Sequence, residues 1–350
     1  MDPLKIDTVK LSDAGDALVI IDQTLLPNEV RYLSLTAIKD IWEAIRALRV
    51  RGAPAIGVAA AFGAYLAAYY APDAELEGRF LAACDYLATS RPTAVNLFWA
   101  LDRMRAAYGR VKALPPADIR AALRAEAQAV MDEDIEISRS IGRYGLSLLR
   151  PGMGILTHCN AGTLATAKYG TALAPVYAAI ERGLPGLRVY CDETRPLLQG
   201  ARLSAFEMVS AGVDTTLLCD NMASSLMKSG KVDIIFVGCD RVARNGDAAN
   251  KIGTSGVAIL AAHYGIPFYV CAPSSTIDSA IASGEDIPIE FRPPEEVTEL
   301  WYEKRMAPEG VGVYNPAFDV TDAGLITGII TERGLVRAPF EEGFRALGLV

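Results

Sequence analysis

Hydrophobic and polar residues along the chain follow two successive patterns, and the first pattern is helical. After a short extended start, apolar residues in the first third recur at the three- and four-residue spacing of amphipathic helices. The short apolar run Asp16–Asp22 indicates a strand of a small hairpin. Helices are predicted over Thr36–Val50 with Thr36 as N-cap, from Pro54 onward, and over Ala74–Ala88, Ala94–Tyr108 and Pro116–Leu149. We therefore expect a mainly helical N-terminal domain with a small β hairpin over residues 1–130.

From Gly152 onward, short apolar runs alternate with helical stretches. The strand-like runs are Ile155–Cys159, Arg188–Cys191, Thr215–Cys219, Ile234–Cys239 and Phe268–Cys271. The helical stretches between them are Leu164–Arg182, Ala201–Gly212, Met222–Ser229 and Val257–Tyr264. This alternation predicts an α/β domain with a doubly wound, mostly parallel sheet over residues 131–350. Right-handed crossovers bring the carboxyl ends of the strands to one edge of the sheet, where ligands of such folds bind.

Composition and charge narrow the class of protein. Hydrophobic residues make up 51% of the chain and charged residues 22%, which is typical of a packed globular enzyme. The formal net charge of −8 argues against a nucleic-acid partner, which needs a basic face. The most apolar stretch, Val58–Tyr70, is rich in small residues, so we expect a buried helix and no membrane partner. The first residues lack the apolar core of a signal peptide, so we expect a cytoplasmic protein.

The cysteines show a regular placement. All six lie far apart without C-x-x-C spacing, which argues against a disulfide framework or a zinc site and favours a reducing compartment. Five stand at the predicted carboxyl ends of strands, namely Cys159, Cys191, Cys219, Cys239 and Cys271. Three of these are followed directly by an aspartate, giving Asp192, Asp220 and Asp240. The preference of cysteine for buried positions explains most of these placements. Carboxylates gathered at a ligand-binding edge, however, must be solvated, paired or used in chemistry.

Cys159 and Asp240 are the candidates for catalysis, and each has a structural alternative. Cys159 lies in the segment THCNAG, where a thiol at a predicted helix N-terminus would experience the positive end of the helix dipole. Taken alone, this cysteine is more often a structural thiol, and strand alternation makes the neighbouring His158 a packing residue. Asp240 follows the apolar run FVGC, which would place a general acid or base at the active edge. Its alternatives are an ion pair with Arg241 and a loop cap.

Other segments offer groups for an anionic ligand. Arg51-Gly52-Ala53-Pro54 places a guanidinium and free backbone amides at the start of a predicted helix. Asn250-Lys251 supplies an amide and a cation, although a lone lysine is more often a solvated surface group. Arg91 would add a polar patch or form a helix entry. The run ETRPLLQGAR, which contains Gln199, concentrates more polar groups than a structural loop needs.

Several common catalytic signatures are missing from the sequence. It has no G-x-x-x-x-G-K-[ST] phosphate loop, no G-x-G-x-x-G fingerprint after the first strand of the α/β domain, and no G-x-S-x-G elbow. A nucleotide-dependent dehydrogenase and a serine hydrolase are therefore disfavoured. A metal held by the aspartates stays open, but neither a metal nor a cofactor is expected.

Six longer segments carry a family resemblance. They read RGAPAIG, THCNAG, ETRPLLQGARLSAFE, GCDRVARNGDAANKIGT, YNPAFDVT and ITERG. Together they resemble the methylthioribose-1-phosphate isomerase family, and the likeness runs from about Asp22 to Gly334. That family belongs to a superfamily with the regulatory subunits of translation initiation factor 2B and with archaeal ribose-1,5-bisphosphate isomerase.

The resemblance implies an enzyme and a set of site residues. The expected activity is an aldose–ketose isomerisation of 5-methylthioribose 1-phosphate to 5-methylthioribulose 1-phosphate in methionine salvage. The expected architecture is a helical N-terminal domain followed by a Rossmann-like catalytic domain, assembled as a homodimer. The family's catalytic residues map onto Cys159 and Asp240. Its substrate contacts map onto Arg51, Gly52, Ala53, Arg91, Gln199, Asn250 and Lys251.

Two alternatives stay open within the superfamily. A ribose-1,5-bisphosphate isomerase would need a second cationic cluster for the distal phosphate, whereas a methylthio group needs an apolar pocket. A non-catalytic regulatory subunit could keep the fold without the two catalytic residues. The presence of both Cys159 and Asp240 tells against that second alternative.

Overall fold

The computed structural model describes residues 6–91 and 95–350 of the chain. By their contacts these residues form two units. The first unit holds the chain up to Ser138 together with the short segment Gly162–Gly170. The second unit holds Arg139–Ala161 and Thr171–Val350. The domain boundary between residues 130 and 131 stays a prediction.

The first unit combines a small sheet with long helices. Its three antiparallel strands, in the spatial order β1-β2-β3, are β1 (Val9–Leu11), β2 (Leu18–Ile21) and β3 (Tyr32–Leu35). Its helices are α1 (Ile38–Arg46), α2 (Ala53–Tyr69), α3 (Leu76–Ala88), α4 (Val95–Val111) and α5 (Pro116–Leu146), the last of which ends in the second unit. The predicted hairpin strand is therefore present as β2.

Helix α2 is the buried centre of the first unit. Pro54 lies in its first turn, where the missing amide hydrogen of proline leaves no bond unmade. Nearly all of its side chains are buried, and it packs against α3 and α4. A helix that is apolar on every side belongs in a core, as the alanine-rich run predicts. Within the described chain, every helix is too short or too polar to cross a bilayer.

Two expectations for the first unit need correction or restriction. Helix α1 starts at Ile38 with Ala37 as its N-cap, and no side chain bonds to that cap. The prediction of Thr36 as N-cap is therefore wrong. Ala94, the predicted first residue of the next helix, lies outside the described residues, and the structure shows this helix from Val95.

The second unit is an α/β domain. Its strands are β4 (Gly154–Thr157), β5 (Arg188–Asp192), β6 (Asp214–Leu218), β7 (Ile234–Val237), β8 (Arg241–Ala243), β9 (Ala248–Lys251), β10 (Phe268–Cys271), β11 (Ile277–Asp278), β12 (Phe318–Thr321), β13 (Gly328–Thr331) and β14 (Gly334–Val336). Its helices are α6 (Ala174–Glu181), α7 (Ala205–Ser210), α8 (Ala223–Lys228), α9 (Thr254–Tyr264), α10 (Glu295–Thr298) and α11 (Phe340–Ala346).

Seven strands form the main sheet, in the order β14-β13-β10-β7-β4-β5-β6. All neighbours are parallel except β14, which runs antiparallel to β13. Strands β4, β7, β10 and β13 are buried along their whole length, as expected for a parallel sheet covered on both faces. The α/β fold with a mostly parallel sheet is therefore confirmed.

The order of the strands defines a switch point. From β4 the chain moves outward to β5 and β6, then returns to β7 on the other side of β4. This is the doubly wound order of the Rossmann fold, in which loops diverge between the first and fourth strands. The carboxyl ends of β4 and β7 therefore border a crevice at the centre of the sheet edge.

A second, four-stranded sheet follows β7 almost directly. Its order is β11-β8-β9-β12, and β8 and β9 form an antiparallel hairpin. Residues between β7 and β8 thus lie at the edge of the main sheet and at the base of this hairpin.

The predicted helix Leu164–Arg182 is wrong in its first half. The chain makes only a short 3₁₀ turn over Thr163–Ala165, and α6 begins at Ala174. The hydroxyl of Thr166 donates to the carbonyl of Lys168 and accepts from the amide of Gly170. Such local bonds from a threonine compete with helical ones, which explains why helical spacing alone misleads here.

Candidate active site

The structure places Cys159 and Asp240 at the switch point. Cys159 follows β4 and Asp240 follows β7, and these two strands are neighbours in the sheet. The loops that carry the two residues touch, because a Cβ on Gly238 would lie only 2.6 Å from the Cβ of Ala161. The predicted catalytic residues therefore lie on adjoining loops at the edge where doubly wound sheets bind ligands. Their roles in catalysis stay a prediction.

Cys159 has an unusual backbone conformation. Its φ is 66°, in the left-handed region that residues other than glycine rarely adopt, and the residue is 8% exposed. Its amide donates to the hydroxyl of Thr194 at 2.8 Å, and its carbonyl accepts from the hydroxyl of Ser204 at 2.7 Å. No helix starts at Cys159, since α6 begins only at Ala174. The predicted influence of a helix dipole on this thiol is therefore wrong.

His158 forms a buried pair with an acid that the sequence pattern did not assign to it. The Nε2 of His158 donates to the carbonyl of Ile252 at 2.8 Å, and Nδ1 lies 3.0 Å from Oδ2 of Asp192. Because both ring nitrogens face acceptors, a proton must lie between the imidazole and the carboxylate. His158 is thus buried as predicted, but it is held by a charge-assisted hydrogen bond.

The pKa values of this pair move in the same direction. Burial lowers the pKa of His158, but the hydrogen bond and charge of Asp192, with the charge of Asp220, outweigh it, so the pKa is raised. Burial raises the pKa of Asp192 against the opposing effect of His158. Both shifts favour the protonated form, which agrees with one proton shared by the pair.

Among the residues that the structure describes, His158, Asp192 and Asp220 form a group that could hold a metal ion. One ligand atom from each lies within 4.8 Å of the others. The oxygens of Asp220, however, accept the amides of Thr194 and Arg195, each at 2.7 Å. The carboxylate of Asp220 and the pair of His158 and Asp192 are therefore already engaged in hydrogen bonds within the protein.

A second buried polar network lies beside Cys159. Asn160 donates from Nδ2 to the hydroxyl of Ser204 at 3.1 Å and to Oε1 of Glu207 at 2.8 Å. The hydroxyl of Tyr177 donates to Oε2 of Glu207 at 3.0 Å. Burial, together with the nearby Glu207 carboxylate, raises the pKa of Tyr177 well above its usual value. The sequence signal was the polar density of the run ETRPLLQGARLSAFE, which ends at Glu207.

Gln199 stands at the entry to a π-helical turn, Gly200–Ser204, that leads into α7. Such turns are uncommon and occur frequently at functional sites. Gln199 is buried, and in the described part of the chain its Oε1 has no hydrogen-bond partner. A buried acceptor without a donor is costly unless a ligand supplies one. This agrees with the predicted role of Gln199 in substrate binding without testing it.

Asn250 and Lys251 lie on β9, next to the loop of Asp240. The amide of Asp240 donates to the carbonyl of Ala249 at 2.9 Å, which joins that loop to the strand. Asn250 is buried and donates from Nδ2 to the hydroxyl of Thr254 at 3.0 Å. The ammonium of Lys251 donates to the carbonyl of Ala317 at 2.8 Å, a bond that engages one of its three hydrogens.

The remaining predicted contacts lie in the first unit. Gly52 is the N-cap of α2 with a φ of 88°, and no side chain bonds to this cap. Ala53 is the exposed first residue of the helix, and Arg51 is half-buried. A helix N-terminus without a side-chain cap presents free amides to an anion, as the sequence predicts. Arg91, the last residue of the first described stretch, is half-buried.

Comparison with known proteins identifies the family. The model of the Initiation factor 2 subunit family matches residues 49–338. The chain belongs to this family. Among its relatives, the methylthioribose-1-phosphate isomerase of Symbiobacterium thermophilum is 66% identical over 99% of this chain and 97% of that protein. The 5-deoxyribose 1-phosphate isomerase of Petrotoga mobilis is 57% identical over 97% of this chain and 98% of that protein.

A solved structure shares the fold of this chain. The crystal structure of 5-methylthioribose 1-phosphate isomerase from Pyrococcus horikoshii superposes with a TM-score of 0.94 at 44% identity. The match covers 99% of this chain and 97% of that one. The resemblance read from the sequence motifs is therefore confirmed, and so is its expectation of an isomerase.

Proposed function

We propose that this protein converts 5-methylthioribose 1-phosphate to 5-methylthioribulose 1-phosphate. The observation that carries the proposal is the relative named methylthioribose-1-phosphate isomerase, 66% identical over 99% of the chain. The alignment covers nearly all residues, so it spans the loops after β4 and β7. The switch point supplies the physical support, because it gathers a thiol and a carboxylate at a ligand-binding edge.

The substrate sets the chemical task. Its phosphate sits on the anomeric oxygen, so the sugar ring must open before hydrogen moves from C2 to C1. The bond between C1 and the ring oxygen breaks, the ring oxygen gains a proton, and the C2 hydroxyl loses one as it becomes a carbonyl. A single acid/base group can supply the first proton and accept the second. We assign this role to Asp240, an exposed carboxylate at the switch point.

Cys159 is assigned to the hydrogen transfer itself. It lies on the loop that adjoins the Asp240 loop and is nearly buried. At this nearly buried position, a polarisable thiol acts as a proton carrier or stabilises the charge that develops between C1 and C2. Retention of both Cys159 and Asp240 favours the enzyme over a non-catalytic subunit.

The substrate contacts are those that the family resemblance implies, and the surroundings of some of these residues support them. We assign the phosphate to Arg51, to the amides of Gly52 and Ala53, and to Lys251. The uncapped start of α2 supports the amide contacts, because free amides favour anions. The orphaned Oε1 of Gln199 supports a hydrogen bond from a sugar hydroxyl. Arg91 and Asn250 are assigned to orientation of the sugar.

The setting of the reaction is part of the same proposal. A methylthio sugar phosphate arises in methionine salvage, and we place the protein in that pathway, in the cytoplasm, as a homodimer. A small-molecule substrate, without a nucleic-acid or membrane partner, agrees with the net charge of −8 and the globular composition.

Replacement of Asp240 tests the mechanism. Asp240→Asn should lower kcat by about 10²–10⁴-fold while the Kd of the substrate stays within a fewfold, since a general acid/base acts mainly in the transition state. The matched control is Asp214→Asn, because Asp214 is an exposed aspartate at the amino end of β6. Turnover of Asp240→Asn equal to that of wild type would exclude the assigned role.

A comparison of substrates tests the activity. The relative named 5-deoxyribose 1-phosphate isomerase makes that sugar the second candidate, which differs by lacking the methylthio group. We expect kcat/KM to be about tenfold or more higher with 5-methylthioribose 1-phosphate, because an apolar pocket discriminates modestly between such groups. Higher kcat/KM with 5-deoxyribose 1-phosphate would favour the second candidate. Preference for ribose 1,5-bisphosphate would overturn both.

A further inference from the structure

We propose that Thr194 and Ser204 are positioning residues, which hold the thiol of Cys159 in place by clamping its backbone from both sides. This inference rests on the proposed function, because it assumes that Cys159 takes part in the reaction. Neither residue is among the catalytic or substrate-binding positions assigned above. The observation behind it is the hydrogen bonding of one strained residue at the centre of the sheet edge.

The conformation of Cys159 requires an outside constraint. With a φ of 66° and a side chain beyond Cβ, the residue sits in a region that costs roughly 1–3 kcal/mol for residues other than glycine. Such a conformation persists only where the surroundings over-determine it. Without that constraint the backbone would relax, and the thiol would move with it.

Both backbone groups of Cys159 are bound by hydroxyls. Its amide donates to Oγ1 of Thr194 at 2.8 Å, and the hydroxyl of Ser204 donates to its carbonyl at 2.7 Å. Thr194 lies in the loop after β5, whereas Ser204 ends the π-helical turn before α7. The two contacts therefore come from different elements, 35 and 45 positions away along the chain.

Each hydroxyl is itself held in one orientation. The hydroxyl of Thr194 donates to the carbonyl of Asp192 at 3.1 Å, so its lone pair faces the amide of Cys159. Thr194 is strained as well, with a φ of 65°, and its own amide donates to Oδ1 of Asp220 at 2.7 Å. A β-branched residue in this region is a clear outlier, so the surrounding contacts must hold the backbone of Thr194 in place as well.

The second hydroxyl is linked to a buried carboxylate through Asn160. Ser204 accepts from Nδ2 of Asn160, and the same Nδ2 donates to Oε1 of Glu207. Glu207 is 1% exposed and accepts a further bond from Tyr177. This network fixes Asn160, the residue after Cys159, as well as the hydroxyl that binds the Cys159 carbonyl. The clamp thus extends over both peptide groups around the thiol.

Deletion of the hydroxyls tests the clamp. Thr194→Val keeps the shape of the side chain and removes the acceptor, and Ser204→Ala removes the donor. We expect each to lower kcat by about tenfold to hundredfold with KM within about threefold, since misplacing a reacting group by about 1 Å has that effect. Thr194→Ser restores the hydroxyl and should recover at least tenfold of the activity lost in Thr194→Val. Thr215→Val is the control, because the Thr215 hydroxyl bonds the carbonyl of Val213 on the edge of the sheet.

A second measurement reports on the thiol without turnover. Each variant is treated with iodoacetamide, and the alkylation rate of each cysteine is read by peptide mass spectrometry, with Cys159→Ser as the blank. Released from the clamp, the nearly buried thiol of Cys159 should react at least threefold faster, although turnover falls. The buried thiols of Cys191 and Cys271 should keep their wild-type rates.

The outcomes separate this inference from the proposed function. Wild-type kcat together with a wild-type alkylation rate of Cys159 in Thr194→Val and Ser204→Ala would overturn the clamp. A joint rise in alkylation of Cys159, Cys191 and Cys271 would also overturn it, because it would show general loosening of the fold. Wild-type turnover of Cys159→Ala would refute the catalytic role of the thiol, and the alkylation pattern would still decide whether the clamp exists.

Discussion

Asp134 offers a test of how a buried carboxyl links pH to stability in the first unit. It lies on α5, and its Oδ2 accepts the amide of Ala167 at 2.6 Å. Burial raises the pKa of Asp134 to about 7, although the bond from Ala167 opposes the shift. Asp134→Asn removes the charge and retains an oxygen that can accept the amide of Ala167. The substitution therefore isolates the effect of titration from the effect of the hydrogen bond.

The sign and size of the effect follow from the two pKa values. The unfolded carboxyl titrates near 3.8 and the folded one near 7, so the folded state prefers the protonated form. Its stabilising contribution is present at low pH and is lost as the pH rises from about 4 through about 7. One pKa unit corresponds to about 1.4 kcal/mol, which sets an upper limit of about 4 kcal/mol. Because Asp134 keeps partial contact with solvent, we expect about 1–2 kcal/mol between pH 5 and pH 8.

The assay is urea unfolding followed by circular dichroism at pH 5, 6.5 and 8. Relative to Asp134→Asn, the wild type should lose about 1–2 kcal/mol of unfolding free energy across this range. The control is Asp132→Asn, because Asp132 is an exposed carboxylate on the same helix, and its profile should run parallel to that of wild type. If wild type and Asp134→Asn also lose stability in parallel, the assignment of this titration to Asp134 is wrong.

Two further predictions concern the buried pair and the start of α2. The pKa values of His158 and Asp192 are both raised on folding, so the stabilisation from their shared proton should be lost as the pH rises. Above pH 6.5, urea unfolding should show that wild type loses up to about 1.4 kcal/mol per pH unit relative to the double variant His158→Asn/Asp192→Asn. Equal slopes of unfolding free energy against pH in the two proteins would contradict the shared proton. Gly52→Ala would bring a Cβ against the backbone of Ala165 at a φ of 88°, so thermal unfolding should show that the free energy of unfolding falls by about 2 kcal/mol or more. Gly78 lies on α3 with open space around it, so Gly78→Ala should raise the free energy of unfolding by about 0.5–1 kcal/mol. Equal effects of the two substitutions would argue against close packing at Gly52.

Strands β4, β5, β7 and β10 of the main sheet were predictable because of their burial. Parallel strands covered on both faces read as continuous apolar runs, and β5, β7 and β10 lie where those runs stand in the sequence. The alternation of runs and helical stretches then predicted the sheet edge, and with it the placing of Cys159 and Asp240 at one edge. The switch point itself required the strand order, which depends on long-range pairing between β4 and β7.

The backbone around the thiol could not be predicted from local sequence. The left-handed conformation of Cys159 depends on hydroxyls 35 and 45 positions away, so no local propensity encodes it. The stretch after Thr163 has a different cause, because local bonds of Thr166 with Lys168 and Gly170 replace the helix that the apolar spacing favoured. The spacing of apolar residues reports helical periodicity, and it misses both the long-range bonds to Cys159 and the local bonds of a threonine.

The backbone conformation of Cys159 bears on whether its role is structural or catalytic. A left-handed position is least costly for glycine, and asparagine tolerates it better than other side chains. If Cys159 served only for packing, its replacement by glycine or asparagine would stabilise the protein. The bonds from the two hydroxyls and the network of the buried Glu207 would then have no strained residue to fix. The fold instead holds the strained backbone of Cys159 with hydrogen bonds at the switch point of the sheet. That arrangement supports the proposal that Cys159 is a reacting group, because a reacting thiol must be held at one place and a packing residue need not be.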